Sequence, residues 1–152
     1  TKADVLDVAR QMQPQRGCVA LLDALRNAGA RLGLLSGGID VILEASLPGV
    51  TFDAVHINRL RFDAEGRLTS GTPTPYDMQY KADGVRALCA QFGVPLTRCA
   101  FVGNGLNDVS AAKCAGLTVA FGPHVDPALR DVADRWVEGD DLLALLPVLL
   151  KP

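Results

Sequence analysis

Two short apolar runs stop directly on glycine-rich turns: Arg31-Leu32-Gly33-Leu34-Leu35 before Ser36-Gly37-Gly38, and Cys99-Ala100-Phe101-Val102 before Gly103-Asn104-Gly105. They limit what this chain can become. Each run is too short for a helix and lacks alternation of apolar and polar residues, which is the pattern of a strand buried on both faces, and such strands belong to parallel sheets. A parallel sheet needs crossover segments between its strands, usually helices, and the intervening sequence supplies helical patterns.

Val5, Val8, Ala9 and Met12 fall on one face of a predicted helix over 4–12, which Pro14 ends. Cys18, Leu21, Leu22 and Leu25 repeat the i, i+3, i+4, i+7 spacing, with Asn27-Ala28-Gly29 as the stop. A helix is predicted from Ile39 to about Ala45, and another over 79–92 that presents Val85, Leu88, Cys89 and Phe92 before Gly93-Val94-Pro95 breaks it. Beyond the second glycine turn come a helix through Ala111 and Ala112, a strand over 117–121, a helix opened by Asp126 and Pro127, a strand over 135–137 and a last helix capped by Asp140. Between Phe52 and Ser70, three short apolar stretches around Ala64-Glu65-Gly66 read as a small antiparallel hairpin excursion. The expected class is therefore α/β: a parallel sheet with helices on both faces and a small β-hairpin.

Composition narrows the function. The 152 residues are 49% hydrophobic and 21% charged with a formal charge of -2, so nothing draws the chain to nucleic acid or an anionic membrane, and any anion must be held by a local site. The longest apolar run, 142–150, is too short to span a bilayer. Cys18, Cys89, Cys99 and Cys114 show neither a CxxC pair nor zinc-ligand spacing and sit in apolar segments, so they read as buried free thiols suited to a reducing cytoplasm.

In open α/β sheets ligands sit at the carboxyl ends of strands, which directs attention to the turns. Ser36-Gly37-Gly38 places a hydroxyl and glycine N–H groups beside a helix start, where an anion is favoured. Lys81, in Tyr80-Lys81-Ala82-Asp83, stands at a helix N-terminus whose dipole it opposes, a placement that suggests a task. Two unit charges about 4 Å apart interact by about 4 kcal/mol at an effective dielectric of 20, enough for a positioned lysine to hold a phosphoryl group. The third feature, Val102-Gly103-Asn104-Gly105-Leu106-Asn107-Asp108, crowds oxygen donors into a glycine-flanked turn, and hard cations such as magnesium take oxygen ligands. Singly, these are an ordinary turn, a solvated lysine and an Asn/Asp turn; in this order along one chain they form a set.

That set resembles the haloacid dehalogenase superfamily, and within it the phosphoserine phosphatases. The match runs from Gln15-Arg16-Gly17 through Leu35-Ser36-Gly37-Gly38-Ile39-Asp40, Asn58-Arg59-Leu60, Lys81 and Asn107-Asp108-Val109-Ser110 to Ala115-Gly116-Leu117, covering about Pro14 to Leu146. The resemblance implies a three-layer Rossmann-like core over 14–152, with 1–13 the remnant of a cap-domain helix. It implies a magnesium-dependent phosphomonoesterase acting on a small phosphorylated metabolite. Ser36, Gly37, Gly38, Lys81 and Asn107 would then bind phosphate or substrate, Lys81 and Asp108 would be catalytic, and Asn104 and Asp108 would serve the Mg2+. His56 and His124 take no role from it.

Two departures bear on activity. The family's nucleophile lies in an Asp-x-Asp-x-Thr sequence ending a first, central strand, and these residues contain none; Asp4 and Asp7 lie on a helical pattern and do not replace it. The chain starts on Thr1 without an initiator Met, which reads as something cut away or left out. Without a carboxylate in line with the leaving oxygen the chain as written is expected to have no turnover. Lacking the central strand, it should also show two open backbone edges and weak stability. The second departure is Asn104, where the family places an aspartate, so metal affinity should fall. These departures favour one other reading, a non-catalytic phosphate-binding or regulatory relative; a third, the phosphorylation domain of a cation pump, shares the glycine-flanked Asn-Asp turn but is disfavoured because no membrane span or nucleotide-domain insertion is present.

Overall fold

The computed structural model describes residues 1–150. Helix α1 (Lys2–Gln11) opens on a reciprocal cap: the Thr1 hydroxyl accepts from the Asp4 N–H while the Asp4 carboxylate accepts from Thr1. Its Ala9 is buried and its first turn is tied down by the Lys2 N–H donating to the Gly66 carbonyl at 2.7 Å. Helix α2 (Cys18–Asn27) follows Gly17, whose φ of 75° belongs to the left-handed region and whose missing Cβ leaves room for the Asp141 carboxylate.

Among the described residues the strands form two sheets rather than one. In the first, β1 (Gly33–Ile39) leads to α3 (Asp40–Ser46) and pairs in parallel with β2 (Ala54–Phe62), which in turn pairs antiparallel with β3 (Leu68–Thr72). In the second, β4 (Ala100–Gly103), β5 (Leu117–Phe121) and β6 (Arg135–Val137) are parallel in chain order. Helix α4 (Lys81–Phe92) joins the two, and α5 (Val109–Ala112), α6 (Pro127–Arg130) and α7 (Leu146–Leu149) complete the cover. The α/β class with helices on both faces is as expected.

Three local expectations are corrected. Ala54 to Ile57 do not belong to the hairpin: they are the parallel half of a nine-residue strand whose far half, Arg59 to Phe62, makes the hairpin. No breaker separates Ile57 from Leu60, so the chain stays extended, and the Asp53 carboxylate fixes the register by accepting the Leu32 N–H at 2.7 Å. Strand β1 does not stop at Leu35 but runs to Ile39 through an irregularity between Leu35 and Ile39. The last helical segment is capped by Asp141, not Asp140: its carboxylate accepts from the Leu143 N–H at 3.0 Å and starts a 3-10 turn, Leu142–Leu145.

Among the described residues the core is three clusters. Leu21, Val119, Phe121 and Leu145 fill one side of the second sheet. Ala112, Ala120 and Leu129 fill the other. Val85, Cys89 and Ala111 form the third, against which both Leu35 of β1 and Phe101 of β4 pack. All four thiols are free, and burial together with neighbouring Cys89 pushes the Cys99 thiol up to about 12.

Among the described residues no ladder joins β1 to β4, so each presents an unpaired backbone edge. The edges face a cavity of about 760 Å³ lined by Leu34 and Ser36 of β1, Ala100 and Val102 of β4, and Leu88 and Leu145 of the flanking layers. Between β1 and β4 themselves the link is through side chains on α4, while the Leu142 N–H donating to the Arg16 carbonyl at 2.9 Å ties the segment before α2 to the C-terminal part. These are the two open edges expected of a sheet lacking a central strand.

The packing predicts unequal costs. Leu145→Ala, at a site with no exposed area, should lose about 2–5 kcal/mol in urea unfolding, whereas Val102→Thr, 37% exposed on the slot wall, should change stability by less than about 0.5 kcal/mol. A large loss at Val102 would mean the slot is closed in solution.

Candidate functional site

Lys81 is the first residue of α4 and points inward, where its Nζ donates to Asp108 Oδ1 at 2.6 Å with each side chain 7% exposed. The other carboxylate oxygen, Oδ2, accepts from the N–H groups of Asn104 at 2.8 Å and Gly105 at 3.0 Å, so one aspartate both folds the turn after β4 and fixes the ammonium. A Cβ at Gly103 would overlap the Asp108 side chain, which explains the glycine that ends β4. The awkward placement of a lysine at a helix start is resolved by a full opposite charge at contact distance, which outweighs the dipole.

On the β1 side, the Ser36 hydroxyl accepts from the Gly38 N–H at 3.0 Å, which orients the hydroxyl and leaves its hydrogen available to a ligand. Gly37 is exposed, and its carbonyl accepts from Asn58 Nδ2 at 2.7 Å. Asp40 steadies the segment beyond, accepting from the Leu60 N–H at 3.1 Å.

Of the seven residues expected at the site, Ser36, Gly37, Lys81, Asn104, Asn107 and Asp108 line one cavity, the same slot that separates β1 from β4. Gly38 lies outside that lining, its N–H spent on Ser36. His56 is packed edge-on against Tyr76 with ring centroids 4.9 Å apart, and His124 is exposed elsewhere.

Sequence reasoning missed Asp77. Asn107 Nδ2 donates to its main-chain carbonyl at 3.2 Å, and its carboxylate lies against Gly37, where a Cβ would overlap it. Asp77 sits in Thr72-Pro73-Thr74-Pro75-Tyr76-Asp77, a stretch with no periodicity to place it. Only Asn58, which reaches Gly37 on one side and the Thr74 N–H on the other, hints that this segment returns to the site.

For a divalent cation the oxygen donors at hand are the Asp108 carboxylate and the exposed Asn104 amide; among the described residues no cluster of three or more His, Cys, Asp or Glu side chains is placed to hold a metal. The donor chemistry fits magnesium in kind, since magnesium prefers oxygen and keeps several waters, but a single carboxylate already paired with Lys81 fits it only weakly.

The family model of haloacid dehalogenase-like hydrolases matches residues 2–116. The chain is 37% identical to phosphoserine phosphatase SerB2 of Mycobacterium tuberculosis over 93% of its own length and 35% of that protein's. It is 34% identical to the phosphoserine phosphatase of Idiomarina loihiensis over 88% of its own length and 60% of that protein's. A substrate-bound phosphoserine phosphatase superposes with a TM-score of 0.82 at 27% identity, covering 94% of this chain and 67% of the other. The chain thus spans about a third to two thirds of the length of the curated relatives it matches.

The buried pair gives a signed prediction. Lys81→Met or Asp108→Asn alone leaves a buried charge without its partner and should cost about 3–5 kcal/mol. The double change should cost clearly less than the sum of the two, read by a double-mutant cycle in urea. Additive losses would mean that the two side chains do not interact in solution.

Proposed function

The chain belongs to the haloacid dehalogenase-like hydrolases, and on that footing we propose that it carries the phosphate-holding part of a phosphoserine phosphatase-like phosphomonoesterase. The observation that carries this reading is one cavity lined by the Ser36 turn, buried Lys81 and the Asn104 to Asp108 turn. It gathers a hydroxyl donor, an ammonium and amides where only chain topology, not sequence proximity, could bring them.

In this reading the Ser36 hydroxyl and Gly37 N–H bind the transferring phosphoryl oxygens, Lys81 neutralises them, and the Asn107 amide orients the phosphoryl or substrate. Phosphoryl transfer gains most from fixed charges aimed at those oxygens, and these groups sit on strand ends and a helix start rather than on long loops. Asp108 holds Lys81 in place; with both oxygens engaged, it is not the nucleophile. Magnesium, held by the remaining lone pairs of Asp108 and by Asn104, would add positive charge at the phosphoryl group. The attacking carboxylate, which would form the aspartyl-phosphate as the ester oxygen leaves, is proposed to come from outside these residues, at the end of a strand seated in the slot between β1 and β4. The chain by itself then binds phosphate without turnover. We read residues 1–13 as belonging to a cap, the ligand as a small phosphorylated metabolite, and the compartment as a reducing cytoplasm that keeps the four thiols free. The amide at Asn104 favours one other reading, a phosphate-binding relative with no catalysis even when complete.

A polypeptide that carries an Asp-x-Asp-x-Thr strand ahead of residue 1 should hydrolyse phosphoserine in magnesium, while the 152-residue chain binds orthophosphate and releases none from phosphoserine. In that longer polypeptide Ser36→Ala should lower kcat/KM at least about tenfold with the fold intact, as expected for one lost phosphoryl donor. Absence of metal-dependent phosphate release from the longer polypeptide, with orthophosphate still bound, would leave the non-catalytic reading.

A further inference from the structure

Strand β1 leaves its ladder where the anion turn begins. Leu35 pairs with His56 and Ile39 with Asn58, so β1 advances four residues while β2 advances two, and the residues between bulge out of the pairing. The side chain of Asn58, at the step where pairing resumes, reaches into that bulge: its Nδ2 donates to the Gly37 carbonyl at 2.7 Å. That carbonyl and the Gly38 N–H belong to one peptide group, and the N–H donates to Ser36 Oγ at 3.0 Å. On its other side Asn58 Oδ1 accepts from the Thr74 N–H at 2.8 Å. The bonds form one directed row, from the Thr74 main chain through the Asn58 amide and the 37–38 peptide to the hydroxyl of Ser36. Ser36 lines the cavity, whereas Asn58 lies outside its lining.

Each member of the row sets the polarity of the next. Thr74 offers Asn58 an N–H, so the amide oxygen faces it and the amide nitrogen is left to face Gly37. The 37–38 peptide has glycine on both sides, and no side chain stops it from turning over. The Asn58 donor holds the carbonyl away from Ser36 and the N–H toward Oγ. A hydroxyl oxygen that accepts there keeps its own hydrogen for a ligand. With the peptide reversed, the Gly37 carbonyl would face Ser36 and take that hydrogen instead. Resting on the phosphate reading above, we propose that Asn58 is a positioning residue of the site: acting through the 37–38 peptide, it presents the Ser36 hydroxyl to the phosphoryl group as a donor.

The test is calorimetric titration of orthophosphate into the 152-residue chain, comparing wild type with Ser36→Ala, Asn58→Leu and the two combined. Each single change should weaken binding by about three- to tenfold, the worth of one net hydrogen bond. The combination should bind within about twofold of Ser36→Ala alone, because Asn58 acts only through the hydroxyl. Asn58→Asp repeats the cycle with a side chain of the same shape that still accepts from Thr74 but cannot donate to Gly37, and it decides the matter if Asn58→Leu does not fold. Its loss should shrink once Ser36 is replaced by alanine, leaving only the repulsion of the added charge. Urea unfolding of each variant separates stability from affinity: a merely structural Asn58 would lower stability equally in both backgrounds and leave phosphate affinity unchanged. Losses that multiply, or wild-type affinity in either single variant, overturn the proposal while leaving the phosphate site standing. No binding by wild type removes the phosphate reading and this proposal together.

Discussion

A lysine and an aspartate that have both left water hold the chemistry of this molecule in one place. Burying two charges costs several kcal/mol each, and their attraction offsets that only with close geometry and additional hydrogen bonds. Asp108 meets the condition by spending one oxygen on Lys81 and the other on two backbone N–H groups of its own turn. The start of α4 and the end of β4 are therefore fixed to each other by charge, while Leu35 and Phe101, resting on the α4 cluster, fix the same helix beneath both half-sheets. The ammonium has a defined position because the fold has no cheaper way to bury it.

Two glycines show how the backbone accommodates this. Gly103 lets the Asp108 side chain fold back over the end of β4, and Gly37 lets the Asp77 carboxylate lie on β1. Neither position needs an unusual φ; what each needs is the absence of a side chain. Close approach, rather than turn geometry, is the reason for glycine at both, which is how strand ends become places where charged groups meet main chain.

Much of this was legible in the sequence because short apolar runs ending on glycine carry both fold and site. The run before Gly103 placed the end of β4, the run before Ser36 placed β1 though not its end at Ile39, and the position of Lys81 against the helix dipole suggested a task for it. What failed to show were features fixed by tertiary pairing. Ala54 to Phe62 has one continuous β pattern, and nothing local says that its first half pairs in parallel with one strand and its second half antiparallel with another. Asp140 and Asp141 are equally good caps on paper; the choice falls to Asp141 because Arg16 pairs with its carboxylate at 2.9 Å and the Arg16 carbonyl takes the Leu142 N–H. Asp77 was invisible for a similar reason, since its location is decided by Asn58 and Asn107 from opposite halves of the chain.

The slot and the site are one cavity, and that coincidence has an energetic meaning. Its walls combine apolar side chains with two rows of unpaired strand backbone, a combination water solvates poorly on the first count and well on the second. An extended segment seated there would satisfy both edges at once, bury the apolar walls, and arrive with its carboxyl end beside Ser36, Lys81 and Asp108, because β1 and β4 both direct their carboxyl ends to that cluster. Completing the sheet and completing the site would then be a single step. Whatever binds only the completed state stabilises it by mass action, so ligand affinity and sheet closure are thermodynamically linked through the same few residues.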